Sequence, residues 1–172
     1  KLRDKGESEI ADEIDAVAGT IRRHVDRELA RVRVAPAAAT QTARADVAAV
    51  AGRVIAVVKR TPRGERLTFS IEAPPGLAAP IDEGDLAEIL GNLIENAVRY
   101  GDRARVALAL DADGPLVTID DDGPGIPADR IEEVYKPFVR LETSRSRDTG
   151  GSGLGLSIAR SIILAHGGEL TL

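Results

Sequence analysis

The chain has no cysteine, which excludes disulfides and thiolate metal ligands alike. His24 and His166 are its only two histidines, so a metalloenzyme built on a histidine-rich centre is a poor reading. A basic excess is also missing. Lys and Arg total 23 against 28 Asp and Glu, and the net charge of -5 argues against broad electrostatic binding to nucleic acid or to an anionic membrane. No apolar run approaches the roughly 20 residues needed to cross a bilayer. The sequence opens on Lys1 rather than on an initiator methionine, which makes an internal portion of a longer protein the expectation. At 172 residues there is room for one well-buried domain and a smaller helical piece, since domains commonly run to about 100–150 residues.

What is present is patterned. From Glu7 to Val34, Ile10, Ile14, Val17, Ile21, Val25, Leu29 and Val32 recur at steps of four and three and draw one apolar stripe along a helix. Asp12, Asp15, Arg22, Arg23 and Arg27 take the other faces, so this helix is expected to pair in an antiparallel bundle or a coiled-coil dimer. The following "VAPAAATQTA" reads as a linker. It divides a helical piece, residues 1–36, from a main domain, residues 46–172, with 37–45 between them.

In the main domain, Asp46–Lys59 reads as a helix, "TPRG" as a turn and "RLTFSIEA" as a strand. "DEGDLAEILGNLIENAVRYG" sets Leu86, Ile89, Leu90, Leu93, Ile94, Ala97 and Val98 on one helical face, with Gly101 as a stop. "RARVALALD" and "PLVTIDDD", parted by Asp113-Gly114, predict an antiparallel hairpin. Residues 124–153 read as loop-rich, Leu154–Ala165 as a helix and "GGELTL" as the start of a strand. This order predicts an α+β fold, a two-layer sandwich in which helices cover one face of a mixed sheet.

Three places carry chemistry. Asn92 and Asn96 share a helical face one turn apart, and an amide oxygen is a hard ligand suited to Mg²⁺. Arg99 follows on the same face and brings a cation toward the same phosphate. Bonding to neighbouring backbone is the alternative use of such a pair. "TIDDDGPGIP" puts acidic residues at the carboxyl end of a strand, and Gly123 and Gly125 let a flat ring approach the backbone. A capped tight turn is the rival reading. "TGGSGLGLSIARSI" lacks the Gly-Lys-Ser/Thr of a Walker loop and fits the dinucleotide fingerprint poorly. Yet glycine-rich backbone running into a helix start suits phosphate oxygens, and Arg140, Arg145 and Arg147 lie just upstream.

Taken in order, "EILGNLIENAVRYG", "TIDDDGPGIP", "VYKPFVR" and "GGSGLGLSIARSIILAHGGELTL" resemble the N box, first glycine box, F box and second glycine box of bacterial sensor histidine kinases. The resemblance covers about Val47 to Leu172, and residues 7–34 look like the second helix of that family's dimerisation hairpin. It implies the ATP-binding sandwich shared by gyrase, heat-shock chaperone, histidine kinase and mismatch-repair ATPases. It also implies ATP and Mg²⁺ as ligands. Asp121 matches the carboxylate that reads the adenine amine, with Gly125 beside the ring and Gly123 and Ile126 in the same turn. Asn96 matches the Mg²⁺ ligand and Asn92 its polar companion, while Arg99 and Tyr100 match the pair near phosphates and base. Phe138 matches the aromatic that anchors the ATP lid. Arg140 is placed to stabilise the γ-phosphoryl in transfer, which makes Asn92, Arg99 and Arg140 the catalytic candidates. Gly151, Ser152, Gly153, Leu154 and Gly155 shape the end of the lid.

Position 92 separates branches of the superfamily. ATPases and related serine kinases carry a glutamate there as general base, and Asn92 cannot take a proton. The resemblance therefore implies transfer to a histidine, then to a response-regulator aspartate. No acceptor motif occurs in this chain: His24 is followed by "VDRE", and His166 stands at a helix end, where dipole contact or packing accounts for it. The acceptor is expected elsewhere in the full protein, a homodimer through residues 7–34 and a cytoplasmic portion of an inner-membrane sensor. A serine kinase or ATP hydrolase is the alternative. A bulky residue at Gly153 is expected to weaken ATP binding and leave the fold standing.

Overall fold

The computed structural model describes residues 43–62, 64–71, 76–141 and 152–172. The helix expected over residues 7–34 lies outside the described residues. Asp46 opens α1 (Val47–Val58) by accepting the Ala49 N–H on its carboxylate at 2.9 Å, an N-cap of the usual kind. Val47, Val50, Ala51, Ile55 and Val58 recur at helical spacing and are the buried face. Ala45–Asp46 (β1) pairs antiparallel with Ala78–Ala79 (β3), and the Val47 N–H donates to Leu77 O at 2.9 Å. Ala45 is fully buried, so the packed domain takes in the last residue of the stretch read as linker.

The turn after α1 is held by Thr61, whose hydroxyl donates to Val58 O at 2.7 Å and accepts the Gly64 N–H at 3.1 Å. It leads through a short 3₁₀ turn into β2 (Thr68–Ile71). The helix α2 (Glu83–Tyr100) is capped by Asp82, which takes the N–H groups of Gly84 and Asp85 at 2.9 and 3.0 Å. Of the predicted stripe, Leu86, Ile89, Leu90, Ile94 and Ala97 are buried and Leu93 and Val98 half-buried, while the polar Asp85 is buried beside them.

The sheet is mixed, in the order β2-β4-β5. The strand β4 (Ala104–Asp111) runs parallel to β2, and α2 lies within the crossover that such a pairing demands. The predicted hairpin forms between β4 and β5 (Gly114–Asp121) over a two-residue loop, Ala112–Asp113. Ala104, Val106 and Leu108 point from β4 into the core, where Leu90, Ile94, Val47 and Val50 are also fully buried. Helices thus cover one face of a mixed sheet, as expected.

Within the loop-rich stretch stand a 3₁₀ turn, Ala128–Arg130, and the one-turn helix α3 (Ile131–Val134). Then α4 (Gly155–Ala165) buries Ile158, Ala159 and Ile162. It packs antiparallel to α2, for Gly155 lies beside Asn92 and His166 bonds Asp85. One expectation is corrected. Residues 167–172 form no strand, because the described residues give that backbone no ladder partner. It is tied instead by the Tyr135 hydroxyl, which donates to Leu170 O at 3.1 Å.

Gly64 is the most crowded of the described glycines: a Cβ there would stand 1.9 Å from Val58 O. Gly64→Ala is expected to cost roughly 3 kcal/mol, by displacing the end of α1. Denaturant unfolding checks it, and a midpoint equal to the parent's would contradict the assigned crowding.

Candidate functional site

The recognised motifs meet toward the carboxyl-terminal half of α2. Asn92 donates from Nδ2 to the backbone oxygen of Glu88 at 3.0 Å, which sets the amide so that Oδ1 turns toward α4. A Cβ on Gly155 would sit 3.3 Å from that Oδ1 and 3.7 Å from the Asn92 Cβ. The first turn of α4 therefore lies directly against Asn92. Among the described residues no side chain caps this helix, which leaves its leading N–H groups at the positive end of the dipole. Asn96 and Arg99, farther along α2, are half-buried, and the Asn96 amide has no hydrogen-bond partner among the described residues. Tyr100 is exposed.

The turn after β5 closes on the end of α2. Asp121 accepts the Gly123 N–H on Oδ1 at 2.8 Å, which orients its exposed carboxylate. A Cβ on Gly123 would lie 2.6 Å from that oxygen and 2.9 Å from Tyr100 O. Gly101 has an ordinary extended backbone, φ -97° and ψ 159°, so α2 does not stop there through a left-handed glycine. It is needed for room: a Cβ would meet Arg103 O at 2.9 Å and both Asp121 and Asp122 at 3.0 Å. Gly125 is the reverse case, with open space around it and φ of 70°. Ile126 beside it is half-buried.

Phe138 and Gly153 form a backbone clasp. Both have left-handed φ, 65° and 68°, and the Phe138 N–H donates to Gly153 O at 2.9 Å. A Cβ on Gly153 would fall 2.9 Å from the Phe138 carbonyl carbon. The Phe138 ring itself is 63% exposed, so the main chain makes this anchor. This changes the expectation for Gly153, where a bulky residue would break the clasp and strain the backbone. Leu154 is buried in the core, and its N–H turns to Ser152 Oγ at 3.4 Å, so it reaches the site through its backbone alone. Arg140 is exposed two residues past Phe138. Gly151, Arg145 and Arg147 lie outside the described residues.

Sequence reading missed two pairings. His166 Nε2 sits 2.9 Å from Asp85 Oδ2, across 81 positions that no local spacing connects. Tyr135 is buried under Arg160, whose guanidinium stands 4.1 Å from the ring centroid, and burial raises the phenol's pKa above its usual value.

Residues 81–172, just over half the chain, match the family described as histidine kinase-, DNA gyrase B-, and HSP90-like ATPases. The chain belongs to that family. It is 44% identical over 87 residues to the sensor histidine kinase GtrS of Pseudomonas aeruginosa, covering 51% of this chain and 18% of that one. It is 44% identical over 96 residues to the sensor protein RstB of Escherichia coli, covering 55% and 22%. The chain thus spans about a fifth of the length of these curated relatives. Among solved structures, the mycobacterial sensor histidine kinase MprB aligns with a TM-score of 0.58 and 28% identity, over 72% of this chain and 79% of that one. Full-length ShkA in complex with AMPPNP aligns at 0.57 and 28%, over 73% and 26%.

The turn beside Asp121 is pinned by its neighbour. Asp122 accepts the Arg103 N–H at 2.6 Å and its Nε at 3.1 Å, and the backbone bond leads in holding the carboxyl below its ordinary pKa. A depressed carboxylate stabilises the fold above its unfolded pKa, about 3.9. That contribution is lost as pH falls through the folded value. Asp122→Asn is therefore expected to melt below the parent at neutral pH and together with it at the acid limit, as thermal denaturation against pH would record. A gap that persists in acid would refute the linkage.

Proposed function

We propose that this chain is the ATP-binding catalytic portion of a sensor histidine kinase, and that it delivers the γ-phosphoryl of Mg·ATP to a histidine outside this sequence. The observation that carries the reading is the meeting of Asn92, Asp121 and the start of α4 around α2, with an amide where a general base would stand. The residues suit the ligands. Asp121 is already oriented by the Gly123 N–H and offers a carboxylate to an exocyclic amine, and the open surroundings of Gly125 admit a flat base. Asn96, half-buried with an unengaged amide, is the hard oxygen donor for Mg²⁺, with Asn92 beside it.

Bound Mg²⁺ would neutralise charge on the phosphates, and the chain's own groups do the rest. The uncapped N–H groups of α4 take phosphate oxygens. Arg99, and Arg140 beyond the clasp, supply positive charge to the transferring group. An imidazole acceptor is nucleophilic when neutral, so position and charge suffice where Asn92 cannot accept a proton. The phosphoryl then passes to the aspartate of a response regulator. The acceptor helix of the full-length protein, a homodimer through residues 7–34 and a cytoplasmic location complete the reading. No described helix is long and apolar enough to cross a membrane.

Titration with a fluorescent ATP analogue and Mg²⁺ is expected to show saturable binding. Asp121→Asn should weaken it by about tenfold, the loss of one charge-assisted hydrogen bond worth roughly 1.5 kcal/mol. Absence of binding by the parent, or equal binding by the variant, would end the proposal. The superfamily's serine kinases and ATP hydrolases are separated by the product. Supplied with an acceptor-helix domain, the chain should yield acid-labile phosphoprotein, whereas acid-stable phosphate or rapid free phosphate would favour the alternative.

A further inference from the structure

At the other end of the α2–α4 pair stands a second group of polar side chains, and nothing in the nucleotide reading uses it. Asp85 precedes Asn96 by eleven residues, about 16 Å along the helix at 1.5 Å per residue. His166 Nε2 lies 2.9 Å from Asp85 Oδ2, and one ligand atom from each of Asp82, Asp85 and His166 lies within 4.8 Å of the other two. The Asp85 and His166 side chains are 4% and 13% exposed. Asp82 faces solvent.

Asp82 spends Oδ1 on the cap of α2, accepting two backbone N–H groups. Capping accounts for that oxygen and not for the company it keeps. Two carboxylates this close repel one another, the more so because Asp85 is withdrawn from water. The positive end of α2 offsets part of this charge, and the carbonyl end of α4 adds to it. A divalent cation held between them would attract both carboxylates at once.

We propose that Asp82, Asp85 and His166 bind a borderline divalent cation, with Zn²⁺ as the type. The ligands are His166 Nε2 and one oxygen from each carboxylate, with water in the remaining position. Imidazole with carboxylate suits Zn²⁺, Co²⁺ and Ni²⁺ better than Mg²⁺. Ligand atoms on a tetrahedral zinc stand roughly 3.3 Å apart, for bonds of about 2.0–2.2 Å. Binding therefore opens the His166–Asp85 contact by a few tenths of an ångström and draws Asp82 inward. Such an ion would clamp the amino end of α2 to the carboxyl end of α4, the two helices whose opposite ends carry the nucleotide motifs.

The test uses the metal-free chain without nucleotide. Titration with Co²⁺ should raise a visible d–d band that saturates at one equivalent, and Zn²⁺ but not Mg²⁺ should raise the melting temperature. His24→Gln, which removes the only other imidazole, should bind as the parent does. Asparagine caps a helix as well as aspartate, so metal-free Asp82→Asn, relieved of one carboxylate charge, should melt no lower than the parent while its Zn²⁺ affinity falls by at least roughly tenfold. His166→Gln should abolish the Co²⁺ band. No band and no Zn²⁺-dependent shift in the parent, or parent-like Zn²⁺ binding in both site variants, would leave only a hydrogen-bonded pair beside a cap and overturn the proposal.

Discussion

The approach of α4 to α2 at Gly155 and Asn92 is the constraint on which the site depends. A Cβ at 155 would stand 3.3 Å from the Asn92 Oδ1, so the bare glycine lets the second glycine motif and the asparagine helix share one surface without the amide having to give by a few tenths of an ångström. The same packing continues through Ile158 and Ile162, which are buried in one core cluster with the α2 stripe and hold α4 against it. A helix fixed in this way presents its N–H groups in a set direction. In the proposed reading, core packing is what aims these N–H groups at a phosphate.

Most of the fold was legible because its signals are local and periodic. The α2 stripe and the β4–β5 hairpin each follow from spacing that a short window contains. What escaped is non-local. The Ala45–Ala79 bridge is too short to leave a pattern, and the Asp85–His166 contact joins residues 81 positions apart. "GGELTL" has the alternation of a strand, yet pairing belongs to two segments and cannot be read from one.

The site divides along similar lines. Asn92 and Asn96 stand out by their spacing on a helix, whereas Asp121 is singled out from Asp120 and Asp122 only by the family resemblance; the structure places Asn92 beside the start of α4 and Asp121 against the end of α2. The glycines were recognisable as a motif, but their separate reasons were not. Gly101 and Gly123 are bare so that backbone and carboxylate can pass within 3 Å, whereas Gly125 is bare for its left-handed conformation. One residue type thus answers two constraints that look alike in sequence.

The clasp between Phe138 and Gly153 makes a topological ring of the chain between them, closed by one main-chain hydrogen bond on the side of the core. The entropy of closing such a ring grows slowly, by about 0.6 kcal/mol for each doubling of length. A change in the length of the segment inside the ring therefore costs little thermodynamically, while the helix that follows keeps its place.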